Sequence, residues 1–222
     1  MMNNKFSDFI KNLPAKPDII GRKNYQNAAV LIPFVNINKE YHILFEKRAN
    51  HIRQGGEISF PGGMIDDKNN ETAREAAIRE TKEELGLNAN GIKVYKQFHT
   101  LVAAHGTILE IFIGELLSLP QELSINKNEV EKVFTVPVRF FLENEPDKYE
   151  MKVIISPYEI NHKNEKTILF PAERLAIPQH YSDSWSRKNA PVYVYHFQNE
   201  VIWGMTAQIL YELKPYMTQL SQ

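Results

Sequence analysis

Gly63 to Leu87 reads GMIDDKNNETAREAAIRETKEELGL. Glu71 is followed after seven residues by Arg79-Glu80, then by Glu83-Glu84 and Gly86-Leu87. The run from Thr72 to Glu84 is rich in Ala, Glu, Arg and Lys and lacks Gly and Pro, so it predicts a helix. Ala73, Ala76, Ala77, Ile78 and Leu85 make a narrow apolar stripe that can pack on a sheet. At roughly 3.6 residues per turn, Glu80, Glu83 and Glu84 share one face. Their mutual repulsion is small, about 0.2–0.5 kcal/mol per pair. A solvated acidic helix held by pairs such as Arg79–Glu83 and Arg74–Glu71 could tolerate it. A counter-cation would relieve it, and Mg²⁺ and Mn²⁺ favour carboxylate oxygen and water while keeping positions open for phosphate.

Glu71 stands at a fixed offset from Arg79-Glu80, glycines precede it, and Gly86 closes the helix as a C-cap. Together these features resemble the Nudix box, the signature of hydrolases that cleave nucleoside diphosphates linked to another moiety. The resemblance implies an α/β (α+β) Nudix fold, a mixed β-sheet sandwiched between α-helices. It implies that Glu80, Glu83 and Glu84 are ligands for Mg²⁺ or Mn²⁺, and that Arg79 orients these carboxylates by pairing, with Glu71 as one partner. The catalytic general base is then Glu83 or a downstream loop acid, for which Glu129 is the candidate. A solvated loop charge is the plain alternative for Glu129. Glu110 is a weaker candidate, expected to face solvent. The loop MIDDKNN between Gly63 and Glu71 is longer than that of the standard box.

Upstream stands ILFEKRANHIRQGGEISFPGG, residues 43–63. It is similar to the extra motif of the coenzyme A pyrophosphatase branch: Arg48-Ala49, Arg53, Gly56 and Phe60-Pro61-Gly62-Gly63. The spacing from Arg53 to Gly56 is shorter than that branch shows. NKNEVEKVFTVPV at 126–138 and NEVIWGMTAQIL at 199–210 also look like it, so the resemblance covers most of residues 27–213. It implies cleavage of coenzyme A or acyl-coenzyme A to 4′-phosphopantetheine, acylated or not, and 3′,5′-ADP. Arg48 and Arg53 are candidate substrate-binding residues, because guanidinium pairs bidentately with phosphate oxygens. Gly62 and Gly63 would let the backbone approach the ligand. Strand-end solubility is the alternative for each arginine. Tyr193, Tyr195, Phe197 and Trp203 alternate along the last strands and are read mostly as core. Rival substrates are ADP-ribose, dinucleoside polyphosphates and oxidised nucleoside triphosphates. A non-catalytic Nudix sensor is disfavoured because all the box carboxylates are present.

The 222 residues are 43% hydrophobic and 24% charged, as expected of a globular chain. A net charge of −1 gives no field to draw DNA or an anionic membrane. The absence of cysteine removes disulfides, thiolate metal sites and cysteine nucleophiles. No histidine spacing of the HxH or HExxH kind appears. The expectation is a cytoplasmic protein with a small-molecule nucleotide substrate, no nucleic-acid or membrane partner, and a homodimer as the assembly the family allows. Residues 1–20 read as an N-terminal helical extension, through Phe6, Phe9, Ile10 and Leu13, and 21–217 as a single domain.

Strands are expected at Ala28–Val35, Tyr41–Arg48, Glu57–Phe60, Ile92–Thr100, Ile108–Leu116, Val130–Val136, Pro191–Phe197 and Val201–Trp203. A turn is expected at Asn36–Lys39 and a loop at Leu117–Asn128. Val138–Leu142 reads as a short helix or turn. Lys152–Ile155 and Thr167–Phe170 read as a hairpin, and Thr206–Met217 as a closing helix.

Overall fold

The computed structural model describes residues 3–15, 17–117, 120–186 and 189–221. Parts of the expected N-terminal extension (residues 1, 2 and 16) and of the 117–128 loop (residues 118 and 119) lie outside them. The first helix, α1, spans Asn3–Lys11, and its apolar side chains Phe6, Phe9 and Ile10 are exposed.

The central sheet grows from β1 (Gln26–Ile37) and β2 (Glu40–Arg48). Asn38 and Lys39 join them with positive φ at both positions, the geometry that suits a tight antiparallel turn. The two strands pair only near that turn, from Phe34↔Ile43 to Ile37↔Glu40, and then splay apart. Residues 58–64 fill the gap. Here β3 (Ile58–Ser59) pairs with β2, and β4 (Gly62–Met64) pairs with β1. The amide of Leu31 donates to the Pro61 carbonyl at 3.0 Å, which keeps the crossing segment paired. The Pro61-Gly62-Gly63 stretch is therefore a crossing between two strands. The sheet continues through β5 (Ile92–Ala103) and β6 (Thr107–Leu116), and β7 (Val130–Pro137) covers the far edge of β2. β1 and β6 run parallel and the other pairs antiparallel, so the sheet is mixed.

Alternation along the strands assigns each face. Ala29 and Leu31 of β1, with Phe112 of β6, meet Ala76 and Ala77 of α2 (Ala73–Leu85). Leu44 and Leu116 meet Leu85 on the same face. Ile32, Phe34, Ile43, Phe45 and Ile111 point the other way, onto α3 (Val138–Glu143), α4 (Gly204–Leu213) and a second sheet. That sheet orders β12 (Glu200–Trp203), β11 (Asn189–Phe197) and β8 (Asp147–Lys152). Phe45 of β2 is fully buried in the core between the two sheets, with ring centroids 5.2 Å from Phe60, 5.7 Å from Phe134 and 6.1 Å from Phe141. Burying such a ring stabilises the fold by about 1.5–3 kcal/mol. The mixed sheet between helices is the expected fold.

Two expectations need correction. The second hairpin is β9 (Tyr158–Ile160) with β10 (Lys166–Ile168), while Lys152 ends β8 and pairs with β11. The turn chemistry sets this register: Asn161 Oδ1 accepts from the amides of Lys163 and Glu165, and Asn164 takes positive φ. Ile154, Ile155, Ile168 and Leu169, whose apolar character suggested the other pairing, are exposed. The closing helix ends at Leu213 and tightens into a 3-10 turn at Lys214–Tyr216. Pro215 has no amide to continue the α-helical ladder.

Candidate functional site

Thr72 and Glu75 form a capping box at the start of α2: the Thr72 hydroxyl accepts from the Glu75 amide at 3.2 Å, and the Glu75 carboxylate accepts from the Thr72 amide at 2.9 Å. Gly86 closes the helix at φ 65°, where a side chain would strike the Ser124 carbonyl. The buried face consists of Ala76, Ala77, Thr81, Glu84 and Leu85. Small side chains near the middle let the helix lie close over the splay between β1 and β2. Its last acidic turn therefore meets the Pro61-Gly62-Gly63 crossing.

Arg79 is the hub of this turn. Its Nε donates to Glu71 at 2.7 Å, its Nη1 to Glu80 at 2.8 Å and Glu83 at 3.3 Å, and its Nη2 to Glu71 at 3.0 Å and the Met64 carbonyl at 3.2 Å. The Asp66 amide also donates to Glu71, at 2.9 Å, so the long loop is anchored to the same carboxylate. Hydrogen bonds from Arg79 lead the causes that hold the Glu71 carboxyl below its ordinary pKa, and hydrogen bonds to Glu71 lead those that raise that of Arg79. The three box carboxylates differ in setting. Glu83 is 55% exposed, Glu80 packs against Gly63, and Glu84 is 3% exposed. Glu84 Oε2 accepts from the Gly62 amide at 2.9 Å.

Sequence reasoning missed Glu46. It lies on β2, 1% exposed, and faces Glu84. Its Oε1 accepts from the Ser59 hydroxyl at 3.0 Å, with Arg48 Nη1 4.0 Å away, while its Oε2 has no partner. The signal was available in the period of β2, since Glu46 shares a face with Leu44 and so points under α2. Burial first, then the Glu46 charge, raise the pKa of Glu84. Burial likewise pushes Glu46 up to about 7, opposed by Ser59 and Arg48.

The folded protein therefore holds a proton here that the unfolded chain releases above the ordinary value of 4.5. The share of that stability due to Glu46 is full below 4.5 and is lost as pH rises through about 7, while the higher Glu84 value extends the rest beyond it. In chelator, the melting temperature of the wild type should fall more between about pH 5 and pH 8 than that of Glu46→Gln. Parallel curves would show that the pair holds no such proton.

The other expected residues are placed as follows. Arg48 reaches the cluster but leans on Glu46, and its Nε donates to the Arg53 carbonyl at 3.4 Å. Arg53 is exposed on the 50–56 turn. Glu129 is exposed, tied by its backbone to Ala49 and Asn126, and close enough that its charge acts on Glu46. Glu110 does not face solvent. It is 6% exposed and bonded to Arg22 at 2.9 Å and to Gln97 and Thr100 at 2.6 Å. A carboxylate on the α2 face of a central strand must find donors, and here Arg22 and two residues of β5 supply them. Tyr195 is core and Tyr193 stacks on Tyr211, but Trp203 is 42% exposed. A cavity of about 530 Å³ lined by Leu142, Glu145, Tyr211 and Lys214 lies on the opposite side of the sheet, away from these carboxylates.

A match to the family model described as NUDIX domain covers residues 25–154, more than half of the chain. The chain belongs to the Nudix family. It is similar to the uncharacterized Nudix hydrolase NudL of Photorhabdus laumondii, with 28% identity over 93% of this chain and 95% of that one. It is also similar to the peroxisomal coenzyme A diphosphatase ndx-8 of Caenorhabditis elegans, with 32% identity over 62% of this chain and 58% of that one. The chain spans little more than half the length of several curated relatives that it matches. A MutT/nudix family protein from Enterococcus faecalis has the same fold, with TM-score 0.51 and 12% identity over 97% of this chain and 69% of that one.

Among the described residues no three acidic or imidazole groups converge into a ready-made cage, because Arg79 engages Glu80 and Glu83. The donors are nevertheless all carboxylate oxygens, two of them buried with little counter-charge, and such donors suit Mg²⁺ or Mn²⁺. No helix is long and apolar enough to cross a membrane among the described residues.

Proposed function

We propose that this chain is a metal-dependent pyrophosphohydrolase that cleaves coenzyme A or acyl-coenzyme A to 4′-phosphopantetheine, acylated or not, and 3′,5′-ADP. The observation that carries the reading is the Arg79 clamp on Glu71, Glu80 and Glu83 beside a buried Glu84, all set against the Gly62-Gly63 edge. The upstream stretch 43–63, which forms that edge, supports the coenzyme A assignment, as does the likeness to a protein named a coenzyme A diphosphatase.

Glu80, Glu83 and Glu84 would hold the ion. A bound Mg²⁺ or Mn²⁺ supplies charge that polarises a phosphoryl oxygen and acidifies water. Arg79 keeps the carboxylates in place, so that little reorganisation accompanies binding. Gly62 and Gly63 would let a diphosphate approach the backbone, and Arg48 and Arg53 would pair with its phosphate oxygens. Glu83 and Glu129 are the exposed acids able to take the proton of an attacking water. No covalent protein intermediate is required. The domain in this reading is 21–217, with residues 1–20 appended, and the location is cytoplasmic.

A product assay tests the proposal. Purified protein with Mg²⁺ or Mn²⁺ should release 3′,5′-ADP from coenzyme A faster than it cleaves ADP-ribose, NADH or diadenosine polyphosphates. Faster cleavage of another substrate would keep the chemistry and remove the specificity assigned to residues 43–63.

A further inference from the structure

We infer that Glu46 of β2 is an additional carboxylate ligand of the divalent ion, completing from the sheet a site that the box helix supplies from only one side. The inference rests on the reading of Glu80, Glu83 and Glu84 as metal ligands.

Glu46 is almost wholly enclosed, yet one of its two oxygens is idle. Oε1 has Ser59 as its donor and Arg48 at 4.0 Å, so that oxygen is both oriented and balanced. Oε2 finds no donor among the described residues, and the group it faces is Glu84, also an acceptor. Two carboxylates turned toward each other in a buried place must share a proton or hold a cation between them, and beside Glu80 a divalent ion can displace that proton. Glu84 is itself fixed by the Gly62 amide through Oε2. The strand and the helix thus each present a carboxylate that a neighbour holds by one oxygen only. That is how a ligand is aimed by an outer hydrogen bond. Glu80 reaches the same edge across Gly63. The splay of β1 from β2 admits the 58–64 segment, which brings Ser59 beside Glu46 and the Gly62 amide to Glu84.

Ser59 then acts as a positioning residue, fixing Glu46 in place as Gly62 fixes Glu84. Arg48 is drawn to the same carboxylate, which explains why its guanidinium is turned inward from the position expected of a phosphate grip.

The test is Mn²⁺ binding to the full chain, without substrate, followed by calorimetry and by the loss of the free-ion paramagnetic signal. Glu46→Gln keeps the Ser59 hydrogen bond and the side-chain volume but removes the charge. It should weaken Mn²⁺ binding at least about tenfold, since even outer-shell changes cost 10–100-fold in metal affinity. The rise in melting temperature on adding Mn²⁺ should shrink with it. Should Glu46→Gln fail to fold, Glu46→Asp decides: the charge stays but the reach shortens, and the affinity should still fall. Wild-type affinity in a folded variant at this position would overturn the inference and leave a shared proton to join the pair. If the folded wild type binds no Mn²⁺ and Glu84→Gln changes nothing, the metal reading of the box fails first, a distinguishable result.

Discussion

Glu84→Gln should lower kcat/KM by roughly a thousandfold or more, about 4 kcal/mol of lost transition-state stabilisation, and leave the fold intact. Both halves follow from one geometry. The amide keeps an oxygen to accept from Gly62 N–H at the 2.9 Å position, so the link between helix and sheet survives. It removes a carboxyl group whose charged form burial, Glu46 and Glu80 all oppose, so the metal-free protein should melt no lower than the wild type. The same charge is what a divalent ion would need. Steady-state kinetics beside thermal melts in chelator check the two halves separately. Near-wild-type turnover in Glu84→Gln would falsify the assignment of Glu84 to the reaction.

Gly63→Ala should reduce kcat/KM by about 10–100-fold with little change in melting temperature, on the scale seen when the support of a metal ligand is disturbed. Gly63 has no positive φ, so alanine meets no backbone objection. Its methyl would instead overlap the Glu80 carboxylate, 2.8 Å from Oε2. A flexible side-chain end can swing away, so the energetic cost is small, but Glu80 then leaves its 2.8 Å bond to Arg79. Gly62→Ala is the contrast. A methyl there would press on the Ala29 carbonyl and lie 2.7 Å from Val30 Cα, and backbone inside a paired strand cannot give way. That variant should lose stability, read as a lower melting temperature. If Gly63→Ala retains full activity, Glu80 is not held in a working position by the glycine edge.

Much of this site could be read along the chain because it is built on a helix. Regular spacing converts sequence offset into spatial neighbourhood, so Arg79, Glu80, Glu83 and Glu84 share the last turns of one helix, and Arg79 reaches Glu71, Glu80 and Glu83. Most of the longer strands are legible for the same reason, from continuous or alternating apolar runs that end in turns, whereas the polar, exposed β8 is not. The errors fall where local pattern does not decide. The 152–155 stretch is apolar but exposed, and the Asn161 turn chose a different pairing. Glu110 was read as solvent-facing because nothing nearby in sequence marks Arg22, 88 residues away, as its partner.

Sequence alone determined the family chemistry, the helix that carries it and the strands around it, because helix propensity, caps and short-range periodicity act between residues a few positions apart. Tertiary structure alone decided which carboxylates are buried and what they face. Glu46 and Glu84 lie in different elements, and their meeting depends on the splay of β1 from β2 and on how closely an alanine-faced helix can settle over it. Burial and the resulting shift in charge are properties of that packing, since desolvation depends on every atom that closes around a group and not on its neighbours in the chain.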